Sequence, residues 1–207
     1  MAKLTRQDDS FRTIWQDVKR GLKLQLVILG TFVAILWGLE IVDSVLLGGY
    51  LDHFGIRPRT VSGLWGILLA PFLHGGLGHL AANTGPLVVL GWLIMWRKTS
   101  DFFVVSLIGG LVAGLGTWLI GSPNSVHIGA SGLCFAYLGY LLLRGFFERR
   151  LFPIIGSVVV GGLYGGLIFG ILPGTPGISW QGHLFGFLGG ILAAWLMVPR
   201  QSPTSSA

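Results

Sequence analysis

The chain has 207 residues, of which 52% are hydrophobic and only 11% charged, with a mean hydropathy of +0.74. Soluble domains carry roughly 25% charged residues, so this composition excludes a soluble globular protein and points to one compact integral membrane bundle. The formal charge of +6 does not call for nucleic acid, because its placement has a topological explanation, and a single cysteine, Cys134, excludes a disulfide framework and a cysteine metal cluster.

Residues 1–23 set Phe11, Ile14, Trp15 and Val18 at near-helical spacing among Arg12, Lys19, Arg20 and Lys23. An interfacial amphipathic helix and an unstructured tail fit that pattern equally well. The polar, charged start does not resemble a cleavable signal. A first span is expected over 24–47, with Glu40 and Asp43 in its last turns. The polar-aromatic connection 48–78 holds an apolar piece, 61–73, too short and too broken by Gly and Pro to cross; it is expected to lie in the outer interface. Further spans are expected over 79–96, 102–120, 131–143, 152–172 and 183–198, giving an all-α, six-helix membrane domain over 24–198 and a polar tail over 199–207. The 34 glycines sit inside the apolar segments, where small residues let helix backbones approach closely.

Basic residues fix the orientation. Lys3, Arg6, Arg12, Lys19, Arg20, Lys23, Arg97, Lys98, Arg144, Arg149, Arg150 and Arg200, twelve of the fourteen, fall on the side of both termini. Only Arg57 and Arg59 lie opposite. Both termini are therefore expected in the cytoplasm, and their shortness favours a bacterial plasma membrane over an organelle. Glu40 and Asp43 are expected to pair with Arg57 and Arg59.

The span opened by Gly129-Ala130-Ser131-Gly132 is short: residues 131–143 rise ~20 Å against a hydrocarbon core of ~30 Å. With Arg144 at the cytoplasmic interface, Ser131 lies roughly 10 Å below the outer one. The same ruler brings His183, His79 and Asn83 to a comparable depth on other spans, with Asn83 one turn below His79 on the same face. Gly186 and Gly190 share the His183 face, and Gly132 and Gly139 form a matching stripe, so the fourth and sixth spans are expected in close contact. That contact would bring imidazole to hydroxyl, with Phe135 stacked on the ring.

Serine becomes a nucleophile when a base within hydrogen-bond reach takes its proton, and imidazole titrates in the right range. The Ser131 N–H and the side chains of His79 and Asn83 are suitable donors to an oxyanion. No carboxylate has a position for a third member, which leaves a Ser131–His183 dyad that needs no metal or cofactor. The bland alternatives are a serine bonded back to its own helix and a histidine bridging two helices. A zinc site from His74, His79, His127 and His183 lacks both an HExxH pattern and an adjacent carboxylate. For His74 a structural hydrogen bond is favoured over catalysis; His53 and His127 receive no role. The flanks of Ser131 do not match GxSxG, and no soluble sheet exists to carry it.

Taken together, His79-Leu80-Ala81-Ala82-Asn83, Gly129-Ala130-Ser131-Gly132, and His183-Leu184-Phe185-Gly186 with Gly190 resemble the rhomboid intramembrane serine proteases over residues 24–198. The resemblance implies a six-helix rhomboid bundle with Ser131 as nucleophile, His183 as general base, and His79 and Asn83 in the oxyanion hole. It also implies a half-sunk first loop and a mobile gate formed by the fifth span and the loop after it. The expected activity is endoproteolysis of single-span membrane proteins near the outer leaflet, in contact with the lipid bilayer. A Phe at 135 departs from the tyrosine of some members; stacking survives the change. A non-cutting binder of membrane clients and a small transporter are the competing functions. The intact Ser131 and His183 speak against the first, and the outward clustering of polar residues against the second.

Overall fold

The computed structural model describes residues 2–175 and 177–198, with side chains from residue 14 onward; the polar tail expected over 199–207 lies outside these. The described residues form seven α-helices: α1 (Ala2–Val42), α2 (Ser62–Leu69), α3 (Leu77–Met95), α4 (Thr99–Ile120), α5 (Ser131–Glu148), α6 (Leu151–Tyr164) and α7 (Trp180–Met197). No strand occurs among the described residues; one isolated backbone bridge joins Ile56 to His127.

Helix α1 runs unbroken from the charged leading segment into the first apolar stretch, 41 residues or roughly 60 Å at ~1.5 Å each. Its 2–23 part contains no proline, so no missing N–H or ring clash breaks the helix before the apolar stretch. A π-helical turn, Asp43–Leu47, ends it, closed by Gly48 at φ 61°. Among the described residues, four stretches are long and apolar enough to cross a membrane: Ile14–Leu47, Leu77–Met95, Thr99–Ile120 and Leu151–Ile171. Helices α5 and α7, 18 residues each, are not among these four. They are also the most enclosed, so their composition answers to protein neighbours rather than to lipid. Helix α5 does not stop at Leu143 as the sequence suggested. It continues to Glu148, whose carboxylate accepts from Arg144 one turn earlier (2.7 Å) and from Arg97 of the α3–α4 connection (2.8 Å).

The core is organised around α5, which touches α3, α4, α6 and α7 and buries Leu133, Cys134, Phe135, Ala136, Tyr137, Leu138 and Tyr140. The glycine stripes do what their spacing implied. A Cβ on Gly186 would run into the Gly132 carbonyl, one on Gly190 into the Ala136 carbonyl, and one on Gly139 into the Phe187 carbonyl. Backbone therefore lies on backbone along the whole α5–α7 seam. Helix α6 is the opposite case: its one buried residue is Val160.

The 48–78 connection is ordered rather than open. It contains a 3₁₀ turn (Leu51–Phe54), α2, and a second 3₁₀ turn (Ala70–Phe72). The expected Glu40/Asp43–Arg57/Arg59 clamp does not form. Glu40 accepts from the Ser44 hydroxyl (2.6 Å), and Asp43 accepts from the Leu51 N–H (2.9 Å). Arg59 instead donates to the Leu119 and Gly121 carbonyls, both at 2.9 Å, at the end of α4. The acids are taken up by the turn that follows them directly, while a guanidinium at a helix C-terminus satisfies carbonyls with no intrahelical partner.

Burial, with Asp43 and Glu40 nearby, pushes the Asp52 carboxyl up to about 6. A raised carboxyl pKa favours the native state at low pH, and that contribution is lost as the pH rises through about 6. Asp52→Asn is therefore expected to raise the melting temperature in detergent at pH 7.5 and to flatten its decline between about pH 4 and 6. Thermal scans of both proteins across that range check it; an identical profile for the two would refute the assignment.

Candidate active site

Ser131 is the first residue of α5, and one backbone conformation and two hydrogen bonds set the turn that delivers it. Gly129 stands at φ 114°, a conformation side chains rarely adopt, and its N–H donates to the Ala70 carbonyl (2.9 Å). The next N–H, of Ala130, donates to His74 Nε2 (3.2 Å). An accepting ring nitrogen carries no proton, and burial with His79 alongside pushes the His74 pKa down to about 4, so this acceptor is retained at neutral pH. His74 thus makes the structural hydrogen bond expected of it, and the first loop braces the serine turn.

Across the α5–α7 seam, Ser131 Oγ lies 2.8 Å from His183 Nε2. The Phe135 ring stacks on the imidazole, centroids 4.1 Å apart and planes inclined by 10°, as the spacing of Phe135 and Ser131 suggested. On its far side, His183 Nδ1 lies 2.9 Å from the Gly170 carbonyl.

His79 and Asn83 approach from α3. His79 Nδ1 accepts from the Gly75 N–H (3.3 Å), which leaves Nε2 to carry the proton of the neutral ring. The buried Asn83 Nδ2 has no hydrogen-bond partner. Both nitrogens converge on one point: a Cβ built on Gly129 would lie 2.9 Å from His79 Nε2 and 3.7 Å from Asn83 Nδ2. These are two donors aimed at the same place beside the serine, and a side chain at 129 would cover them. All four residues singled out from the sequence line one cavity of about 890 Å³, together with Phe135, Gln181 and the loop residues 177–179.

His127, given no role from sequence, is a strut of this site. Its backbone pairs with Ile56 in both directions (2.9 and 3.0 Å). Its ring nitrogens contact Ser125 Oγ (2.8 Å) and Ser179 Oγ (2.7 Å), and Ser179 caps α7 by accepting from the Gly182 N–H. Burial holds the His127 pKa below its ordinary value, consistent with a neutral ring linking two hydroxyls. Thr117 was also missed; its buried hydroxyl, without a protein partner, borders a cavity of about 40 Å³ behind Ser131. Neither residue carries a local sequence signal, because the contact that ties His127 to α7 is 52 residues away and the Thr117 hydroxyl has no partner. Among the described residues, no three His, Cys, Asp or Glu side chains gather closely enough to hold a metal ion.

An apolar helical bundle with a hydroxyl–imidazole pair at a helix start, open to a cavity of mixed polar and apolar lining, defines a multi-pass integral membrane protein built around one serine. The sequence model of the Rhomboid domain matches residues 61–200, and the chain belongs to the rhomboid family. It is 46% identical over 175 residues to an uncharacterized protein of Mycobacterium tuberculosis, covering 81% of this chain and 72% of the relative. A similar uncharacterized protein of Mycobacterium leprae is 44% identical over 182 residues, 84% of this chain and 72% of the relative. The rhomboid protease GluP of Bacillus subtilis is 32% identical over 177 residues, 79% of this chain and 34% of that protein.

Proposed function

We propose that this chain is an intramembrane serine endopeptidase that cleaves single-span membrane proteins in or beside their transmembrane segment, near the outer leaflet. The observation that carries the reading is the 2.8 Å contact between Ser131 Oγ and His183 Nε2, both of which line one cavity with His79 and Asn83. His183 Nε2 takes the serine proton as Oγ attacks the scissile carbonyl. The oxyanion is held by the Ser131 N–H, His79 Nε2 and Asn83 Nδ2. The imidazolium then protonates the leaving amine, and water, deprotonated by the same nitrogen, releases the acyl group from Ser131.

The membrane arrangement proposed with it has six spans, α5 and α7 crossing alongside the four stretches named above, and both termini in the cytoplasm of a bacterial cell. Support comes from the Lys/Arg bias and from the Arg97–Glu148–Arg144 cluster at the end of α5 away from Ser131. Ser131 would then face the extracytoplasmic side. Helical substrate hides its carbonyls in intrahelical bonds, so segments rich in glycine or other helix breakers are the expected substrates.

The test is cleavage of a single-span protein by purified protein in detergent, alongside labelling by a serine-directed fluorophosphonate. Cleavage and labelling that both vanish in Ser131→Ala support the reading. Wild-type protein that neither cuts nor labels refutes it. Asn83→Ala is expected to lower kcat by about 10²–10³-fold with little change in KM, since its amide meets charge that develops only in the transition state. A rise in KM at unchanged kcat would move Asn83 from the oxyanion hole to substrate binding.

A further inference from the structure

His183 is held from both sides of its ring, and the two partners differ in kind. Ser131 Oγ can donate or accept. The Gly170 carbonyl can only accept, so the 2.9 Å contact at Nδ1 requires the proton there. In a neutral imidazole the lone pair is then on Nε2, facing the serine. We propose that the Gly170 carbonyl is the positioning group of the dyad, standing where a carboxylate stands in a three-membered triad. It follows that the dyad is competent only while the 3₁₀ segment Gly165–Ile171 is docked on α7. The proposal rests on the protease reading above.

Local sequence explains why this carbonyl is available. In a continuing 3₁₀ turn the N–H of residue 173 would bond back to residue 170. Residue 173 is proline and has no N–H. The turn closes one residue earlier, with Leu172 N–H donating to the Phe169 carbonyl (3.1 Å), and the Gly170 carbonyl is left for the imidazole. The residue type follows as well: a Cβ at 170 would lie 2.9 Å from Phe135 Cζ and 3.1 Å from His183 Nδ1. Only glycine brings the main chain this close to a stacked ring.

The element carrying the acceptor belongs to the least buried of the four apolar stretches. The segment Gly165–Ile171 buries no residue, and the helix before it, α6, buries only Val160. By contrast the serine turn is fastened by Ala70 and His74, and α7 by the glycine seam. Displacing 165–171, as a substrate helix entering beside α6 would do, withdraws the one contact that fixes the tautomer. The segment would have to settle back before proton transfer. Admission and chemistry are thus separated in time.

The test uses full-length protein in detergent with ¹⁵N-labelled histidine. Long-range ¹H–¹⁵N spectra report which ring nitrogen carries the proton, and His183→Gln identifies the His183 signals. His183 is expected as a single tautomer protonated at Nδ1 in wild type and also in Ser131→Ala, since the serine does not set it. In Gly170→Ala a mixture is expected, with kcat lower by about 10- to 100-fold and KM little changed. That is less than the ~10⁴-fold effect of exchanging a triad carboxylate for an amide that yields the wrong tautomer. Gly165→Ala, in the same segment with open space around its Cβ, should match wild type. Should Gly170→Ala fail to fold, Pro173→Ala asks the same question without a clash: its new N–H competes for the Gly170 carbonyl and should produce the same mixture and a lower kcat. A wild-type His183 protonated at Nε2, or variants with unchanged tautomer and kcat, would overturn the proposal. Absence of any cleavage or labelling by wild type would instead strike the protease reading, and the spectra would still decide the role of Gly170.

Discussion

Ser131→Ala and His183→Ala are each expected to reduce cleavage by at least ~10³–10⁴-fold, and the double variant should be no worse than either alone. The two side chains act through one proton transfer, so removing the second when the first is gone changes nothing further. What activity remains would come from the donors beside Gly129 acting on attack by water. The single variants should differ in labelling: Ser131→Ala takes up no fluorophosphonate, whereas His183→Ala takes it up slowly because its hydroxyl persists without a base. Melting temperatures should stay near wild type, since truncation at Ser131 removes one oxygen and truncation at His183 opens onto a cavity already about 890 Å³ in volume. Additive losses in the double variant would mean that the two residues contribute through separate steps.

Gly190→Ala, a change of one methyl group about two turns from His183, is expected to be almost as damaging. The added carbon would be driven into the Ala136 carbonyl and would lie 2.8 Å from the Tyr140 nitrogen, both main-chain groups of α5. Overpacking typically costs about 1–3 kcal/mol when side chains can shift. Here none can, so the helices must part, and the 2.8 Å Ser131–His183 contact lies on the same seam. We expect loss of cleavage together with a lower melting temperature. Gly162→Ala, on the lipid-facing side of α6 with nothing within 4 Å, is the matched control and should behave as wild type. A Gly190→Ala protein of wild-type stability and activity would show that the seam is looser than the backbone contacts imply.

The parts of the fold that were legible in the sequence depended on period and reach. Glycines seven or four residues apart on two spans predicted which helices touch, and a rise of ~1.5 Å per residue placed four polar residues at one depth. The parts that were not legible depended on partners distant in sequence. Nothing near His127 announces that Ser179, 52 residues on, will take its Nδ1. Likewise Gly170 reads as one glycine in an apolar run until its carbonyl is seen against His183. Charge pairing failed for a different reason. Glu40, Asp43 and Arg59 are of the right sign and on the right side, but a serine hydroxyl one turn away takes Glu40, and main-chain groups take Asp43 and Arg59. At a loop packed against helix ends, free backbone N–H and C=O groups compete with any ion pair, and a charge count does not record them.

The bracing of the serine turn from both directions along the chain has a consequence for biosynthesis. Ser131 is shaped by residues made before it, Ala70 and His74, but meets its base only 52 residues later. A nascent chain inserted as far as α6 holds a fully formed turn with an inert hydroxyl. The last helix is what arms it. On the protease reading, membrane proteins encountered at the insertion site would be spared until α7 is in place, because Ser131 has no base before then.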